Sequence, residues 1–160
     1  MKTSFSIIIF LFFFHVQAQK VADFRLQDSQ NTMKSFLELK GEKLTVIDFW
    51  ATWCKPCIKA IPELNTVYEQ YKNKGVNFIS INCDGPRSIA KAVPMGNSLK
   101  ITYPLLLDIN SDVKNQLNLA AFPTLIIVNE QGKIVWIHEG YAGGYAEEVT
   151  AAIEKHLNAN

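Results

Sequence analysis

Cys54 and Cys57, separated by Lys55 and Pro56 in the stretch WCKPC, are the residues best suited to chemistry in this sequence. At the start of a helix this spacing brings two sulfurs close enough for a disulfide that forms and reopens. Cys54 falls at the end of a strand-to-helix connection, where free backbone N–H groups and the helix dipole favour an anion. Its thiolate is therefore the expected nucleophile, and Lys55 adds positive charge beside it. Cys57, one turn further on, is expected to be more buried and to remain a thiol until a mixed disulfide forms, so that one cysteine attacks and the other resolves. Two other uses of the pair fail on ligand count. A structural zinc site needs four ligands, and beyond this pair the chain offers only Cys83 and the separated His138 and His156. Covalent haem takes Cys-x-x-Cys-His, and Ile58 stands where the histidine belongs. Neither a metal nor a cofactor is expected.

The elements that must position the pair follow from hydrophobic patterning. KLTVIDFW, Lys43 to Trp50, has the β-branched and aromatic content of a strand buried on both faces. After the cysteines, Ile58, Ile61, Leu64, Val67, Tyr68 and Tyr71 recur at three- and four-residue steps, which predicts a helix from about Lys55 to Lys72, bent at Pro62. Gly75 ends that segment, and VNFISIN, Val76 to Asn82, reads as the next buried strand. The stretch from Gly85 to Thr102 holds one helix, followed by a short strand, Pro104 to Leu107, and a helix from about Ser111 to Leu117. AFPTLIIVNEQGKIVWIHEG predicts a hairpin turning at Asn129 to Gly132, and Tyr145 to Leu157 a closing amphipathic helix. Upstream, DFRLQDSQNTMKSF predicts a smaller hairpin turning at Asp28 to Asn31. Parallel βαβ units followed by a hairpin and a helix define an α/β fold, a mixed central sheet flanked by helices on both faces.

At 160 residues, with 48% hydrophobic and 19% charged residues, the chain is sized for one domain with a real core. Lys2, the apolar run Phe5 to Phe14 and the small residues leading to Ala18 have the layout of a secretory signal peptide, with cleavage expected after Ala18. The run is about half the roughly 20 residues of a spanning helix. Residues 19–160 then form the domain. Loss of Lys2 leaves 15 basic and 15 acidic residues, scattered among one another, so the chain lacks the positive stripe that nucleic-acid binding requires. Export also places the three cysteines in an oxidising setting.

VIDFWATWCKPC, with AFPT farther on, resembles the thioredoxin superfamily. DFRLQD before the first core strand, the insertion ending ITYPLLLD, and FPTLIIVNEQGKIVWIHEGY resemble, more narrowly, its TlpA/ResA-like exported thiol-disulfide oxidoreductases. The similarity runs from about residue 21 to 157. It implies a thioredoxin fold with an N-terminal β-hairpin and a central insertion. It further implies that Pro123 is a cis-proline whose loop lends backbone groups to an extended substrate, and that Asp48 is a buried acid able to take the proton of Cys57. Phe122 would face the disulfide and, with Trp53, contribute to substrate contact, while Trp50 packs the core. The family's glutamate three residues after the second cysteine is replaced by Ala60, which leaves Asp48 as the internal acid and weakens a dedicated role in cytochrome c maturation. Cys83 and His138 are read as structural residues.

These readings converge on an extracytoplasmic, periplasmic-type enzyme, a monomer, that exchanges its Cys54/Cys57 dithiol with disulfides of exported proteins. Reduction, fed by a membrane electron donor, is the expected direction. An oxidase or isomerase uses the same motif at a different potential, since the superfamily spans roughly 150 mV. A redox-inert binding module with the pair as a permanent staple is the competitor from another class.

Overall fold

The computed structural model describes residues 19–158, so the proposed signal segment lies outside the described residues. Seven strands form one sheet, β1 (Arg25–Asp28), β2 (Met33–Ser35), β3 (Leu44–Trp50), β4 (Val76–Asn82), β5 (Leu105–Leu107), β6 (Thr124–Asn129) and β7 (Ile134–Glu139), in the spatial order β2-β1-β5-β4-β3-β6-β7. Helices α1 (Phe36–Leu39), α2 (Lys55–Tyr71), α3 (Ala92–Ser98), α4 (Asp112–Gln116) and α5 (Tyr145–Leu157) lie between or after them. β3 runs parallel to β4 and antiparallel to β6, β4 runs parallel to β5, and β6 turns back antiparallel into β7. This is the expected mixed α/β architecture, with the small N-terminal hairpin β1–β2 added on the far edge through β5.

Every residue of β3 is buried, because the strand sits inside the sheet with helices over both faces. Its alternating side chains divide the core. Ile47 and Phe49 join Ile79, Ile81, Phe36, Leu106 and Val113 on one face, whereas Val46 joins Leu64 and Val67 of α2 and Val149 and Ile153 of α5 on the other. The pattern of α2, apolar at Ile61, Leu64, Val67 and Tyr71, is therefore the stripe that meets the sheet. The helix continues through Pro62 to Tyr71.

α2 is tied to its surroundings along its length. Glu63 accepts the Tyr141 hydroxyl at 2.6 Å and the Ala146 backbone N–H at 2.9 Å. The second of these satisfies a free donor in the first turn of α5, whose N-cap is Gly144 and has no side chain to do so. Tyr71 donates its hydroxyl to Glu154 at 2.9 Å, and Asn65 donates its side-chain N–H to the Leu99 carbonyl, also at 2.9 Å, where α3 ends.

One local expectation needs correction. The second arm of the N-terminal hairpin does not extend through Phe36, because Ser35 caps α1: its hydroxyl accepts from Glu38 N–H at 3.2 Å, and the Glu38 carboxylate takes Ser35 N–H at 3.0 Å. The insertion holds one helix as expected, the seven-residue α3, entered through a 3₁₀ turn, Ile89–Lys91.

Gly41 precedes β3 where two backbones meet. A Cβ there would lie 2.0 Å from the Leu44 carbonyl oxygen and 2.7 Å from Asn77 N, both fixed backbone atoms. Gly41→Ala is expected to lower stability by about 3 kcal/mol, the upper part of the range for forced overpacking. Urea unfolding measures this, and an unchanged midpoint would contradict the close approach.

Candidate active site

β3 ends at Trp50, the turn Ala51 to Trp53 follows, and α2 begins with Cys54 as its N-cap. Cys54 N–H bonds the Ala51 carbonyl at 3.0 Å and closes the turn. Cys54 and Cys57 are joined as a disulfide with their Cα atoms 5.3 Å apart. Cys54 Sγ also accepts the Cys57 backbone N–H at 3.2 Å, so the sulfur takes the place that a serine or aspartate oxygen takes at most helix starts. An anion on Cys54 would be met there by a free helix N–H and the positive end of the α2 dipole.

Cys57 is 0% exposed and Cys54 4%, so the order of burial is as expected, but the nucleophile is much less open than its role implies. The reason is packing. The pair shares a cluster with Trp50, Ala51, Ile61 and Leu105, against which Met95, Leu99, Ile101 and Phe122 pack. Trp53, by contrast, is 65% exposed, and its ring meets Phe122 edge-on with centroids 5.7 Å apart. The Lys114 ammonium lies 5.8 Å from the Phe122 ring centroid. An aromatic ledge thus borders the disulfide and leaves a narrow approach.

Phe122 and Pro123 are joined by a cis peptide bond, and Pro123 is buried. The Pro123 carbonyl accepts from Gly140 N–H at 2.8 Å and the Ala121 carbonyl accepts the Thr124 hydroxyl at 2.8 Å. These two acceptors are engaged within the fold, which narrows the backbone groups the loop has left for a substrate strand.

Asp48 is 1% exposed, and both carboxylate oxygens lack a hydrogen-bond partner among the described residues. It lies on β3 between Val46 and Trp50, and the side chain of Trp50 packs with Cys57 and Ile61. Asp48 thus sits on the α2 side of the sheet. Burial raises its pKa from 3.8 to about 7. Tyr103 and Tyr145 are buried on the same side, and their phenols are pushed up first by burial and then by the Asp48 charge. Trp50 is fully buried, and its indole N–H donates to Ser80 Oγ at 2.8 Å.

Cys83 follows β4 and is buried with Ile47, Phe49 and Ile81 on the opposite face of the sheet from α2. Burial, with Asp108 adding to it, pushes its thiol pKa up strongly, which makes it a poor nucleophile. His138 stacks on Trp136 and meets Glu148 at 2.9 Å, away from the cysteines. Among the described residues no group of three or more potential ligands could hold a metal ion.

One neighbour of the cysteine turn is absent from the motif reading. Thr52 is bound by Asp84, a residue just past β4, through its backbone N–H at 2.9 Å and its hydroxyl at 3.1 Å. The signal was in the strand pairing: in the parallel register Trp50 faces Asn82, so residues two beyond each strand end emerge side by side.

A sheet of this order with a cysteine pair at the N-terminus of the helix after the central strand, beside a cis-proline loop, defines a thioredoxin-fold protein with the Cys-x-x-Cys of a thiol-disulfide oxidoreductase. Residues 18–137 match the AhpC/TSA family, and the chain belongs to that family. It is 30% identical over 138 residues to the thiol-disulfide oxidoreductase ResA of Geobacillus kaustophilus, covering 86% of this chain and 74% of that one. It is 31% identical over 128 residues to the thioredoxin-like protein YneN of Bacillus subtilis, covering 78% and 72%. Its fold matches the thioredoxin domain of a thiol-disulfide oxidoreductase from Bacteroides vulgatus with a TM-score of 0.75, at 24% identity over 90% of this chain and 99% of that domain.

Proposed function

We propose that the protein is a reductase for disulfides in exported proteins. The observation that carries this reading is the Cys54/Cys57 couple itself: a disulfide at a helix N-terminus, with a buried, unpartnered acid on the same side of the sheet. Cys54 thiolate attacks a substrate disulfide, one substrate sulfur leaves and takes a proton, and Cys54 is left in a mixed disulfide. Cys57 then gives its proton to Asp48 and attacks Cys54 Sγ; the second substrate sulfur leaves as a thiolate and takes a proton, Asp48 gives its proton up to solvent, and the intramolecular disulfide is restored. Reduction of that disulfide by a membrane electron donor completes the cycle.

The direction of exchange depends on how far the reduced form is stabilised. Strong oxidants of this class owe their potential to a heavily stabilised thiolate. Here Cys54 Sγ accepts one backbone N–H, and ionised Asp48 on the same side of the sheet opposes a second negative charge. That balance supports a couple toward the reducing end of the range. The enzyme works as a monomer in the periplasm or another extracytoplasmic space after loss of Met1 to Ala18, on protein substrates and without nucleic acid or cofactor. Apocytochromes awaiting haem are within this substrate class on the family resemblance, although Ala60 replaces the acid associated with that specialisation.

The test is catalysis of insulin reduction by dithiothreitol together with the equilibrium potential of the couple. Accelerated precipitation of insulin and a potential near that of thioredoxin, about −270 mV, are expected. A potential near about −120 mV would make the protein an oxidant. Absence of acceleration would leave a redox-inert scaffold.

A further inference from the structure

The turn that carries Cys54 is held by a carboxylate that the exchange chemistry does not itself use. Asp84 is 0% exposed. Its Oδ2 accepts Thr52 N–H at 2.9 Å, and its Oδ1 accepts the hydroxyls of Thr52 at 3.1 Å and Ser88 at 3.0 Å. Asp84 is itself fixed, because its N–H bonds Asn82 Oδ1 at 3.0 Å and the preceding residue, Cys83, bonds the Trp50 carbonyl at 2.8 Å. A buried carboxylate is costly unless fully hydrogen-bonded, and two of the three donors here come from the residue two positions before the nucleophile. The two sulfurs are positioned by different means. Cys57 lies within α2, which is anchored elsewhere, whereas Cys54 is placed by the turn Ala51 to Trp53, and Asp84 is the side chain that grips that turn.

We propose that Asp84 is a positioning residue for Cys54: by gripping Thr52 it keeps the Cys54 sulfur at its N-cap site in the dithiol form, and so favours closure of the disulfide. The physical basis is effective concentration, since two groups already held in bonding geometry react as if far more concentrated than free ones. The inference rests on the exchange reading above and concerns its reversible step. Closure against glutathione reads it directly. The protein dithiol and oxidised glutathione give the protein disulfide and two reduced glutathiones. Two protein S–H bonds are lost, the glutathione S–S bond breaks, and its sulfurs take both protons and both electrons.

Asp84→Ala is expected to lower the equilibrium constant for closure about tenfold, which is about 30 mV toward a more oxidising couple. Asp84→Asn, which keeps one oxygen acceptor for Thr52, should lose about threefold. Asp108→Ala is the control. Asp108 is as buried as Asp84 and accepts the Val113 and Lys114 backbone N–H groups at 3.4 and 2.9 Å, so its removal strips a comparable acceptor from α4. That variant should unfold at lower urea yet stay within twofold of the parent in the glutathione equilibrium. A shift in both Asp84 variants with none in Asp108→Ala supports the proposal. Lost stability in Asp84→Ala with an unchanged equilibrium overturns it, as do equal shifts in Asp84→Ala and Asp108→Ala. If Asp84→Ala does not fold, Asp84→Asn decides, and an equilibrium equal to the parent's overturns the proposal. Failure of the parent to accelerate insulin reduction would count against the function, whereas the ratio of variant to parent in glutathione judges Asp84.

Discussion

Cys57→Ser turns the protein into a trap. Substrates are expected to accumulate on it as mixed disulfides visible on a non-reducing gel, while Cys54→Ser collects almost none. Turnover falls in both by on the order of 10³-fold or more, the scale on which loss of a covalent catalytic group is felt. The asymmetry follows from position. Cys54 is the N-cap, its sulfur faces a free helix N–H, and it is the less buried of the two. Cys57 lies one turn inside, with no exposure at all, and can reach only the sulfur already beside it. In the reduced parent, iodoacetamide should therefore modify Cys54 at a pH well below the ordinary thiol value of about 8.5 and spare Cys57. Trapping confined to the Cys54 variant would reverse the two roles, and equal labelling at neutral pH would remove the helix-terminus argument.

Asp48→Asn is expected to slow the enzyme and stabilise the fold at once. In the native state Asp48 titrates at about 7 because burial penalises its charge, whereas an unfolded chain gives 3.8. Between those values the native state holds a proton that the unfolded state has released, so stability falls as pH rises through that window and levels off above about 7. A shift of about three pKa units corresponds to about 4 kcal/mol. Asparagine stays neutral throughout. The variant should match the parent near pH 4 and exceed it by roughly 4 kcal/mol near pH 8, read from urea unfolding at both. Parallel stability profiles would show that Asp48 carries no buried charge. Catalytically, the ionised acid is the form that accepts a proton, so resolution of the mixed disulfide in the parent should accelerate as pH passes about 7. Asp48→Asn should lose that inflection and resolve on the order of 10²-fold more slowly, with the first attack little changed. Rapid-quench measurement of the two steps separates them.

The frame around the cysteines was legible because its signals are local. VNFISIN and the span Tyr145 to Leu157 are bounded by turn residues and carry an unbroken apolar pattern, and both elements form with the expected limits. WCKPC narrows its chemistry once the missing fourth zinc ligand and Ile58 at the haem histidine position are counted. α1 was legible in principle, since SFLE contains the serine and glutamate of a capping box, but a single four-residue turn carries no periodicity to set it apart from the end of the hairpin. The low exposure of Cys54 was not legible, because Leu105, Phe122 and Met95 reach the pair from three separate segments. The bond from Thr52 to Asp84 spans 32 positions and becomes apparent only once β3 and β4 are set in register.

The ties along α2 bear on how a partner tells one redox form from the other. With Glu63, Asn65 and Tyr71 fastened to α5 and to the end of α3, the helix behind the cysteines has little freedom to tilt or slide when the S–S bond opens. The information that distinguishes the two states is then confined to a few atoms beside Trp53, against an almost constant silhouette. In the proposed cycle a donor and a substrate dock on the same ledge in turn, and each must discriminate by the sulfur it meets rather than by the outline of the molecule.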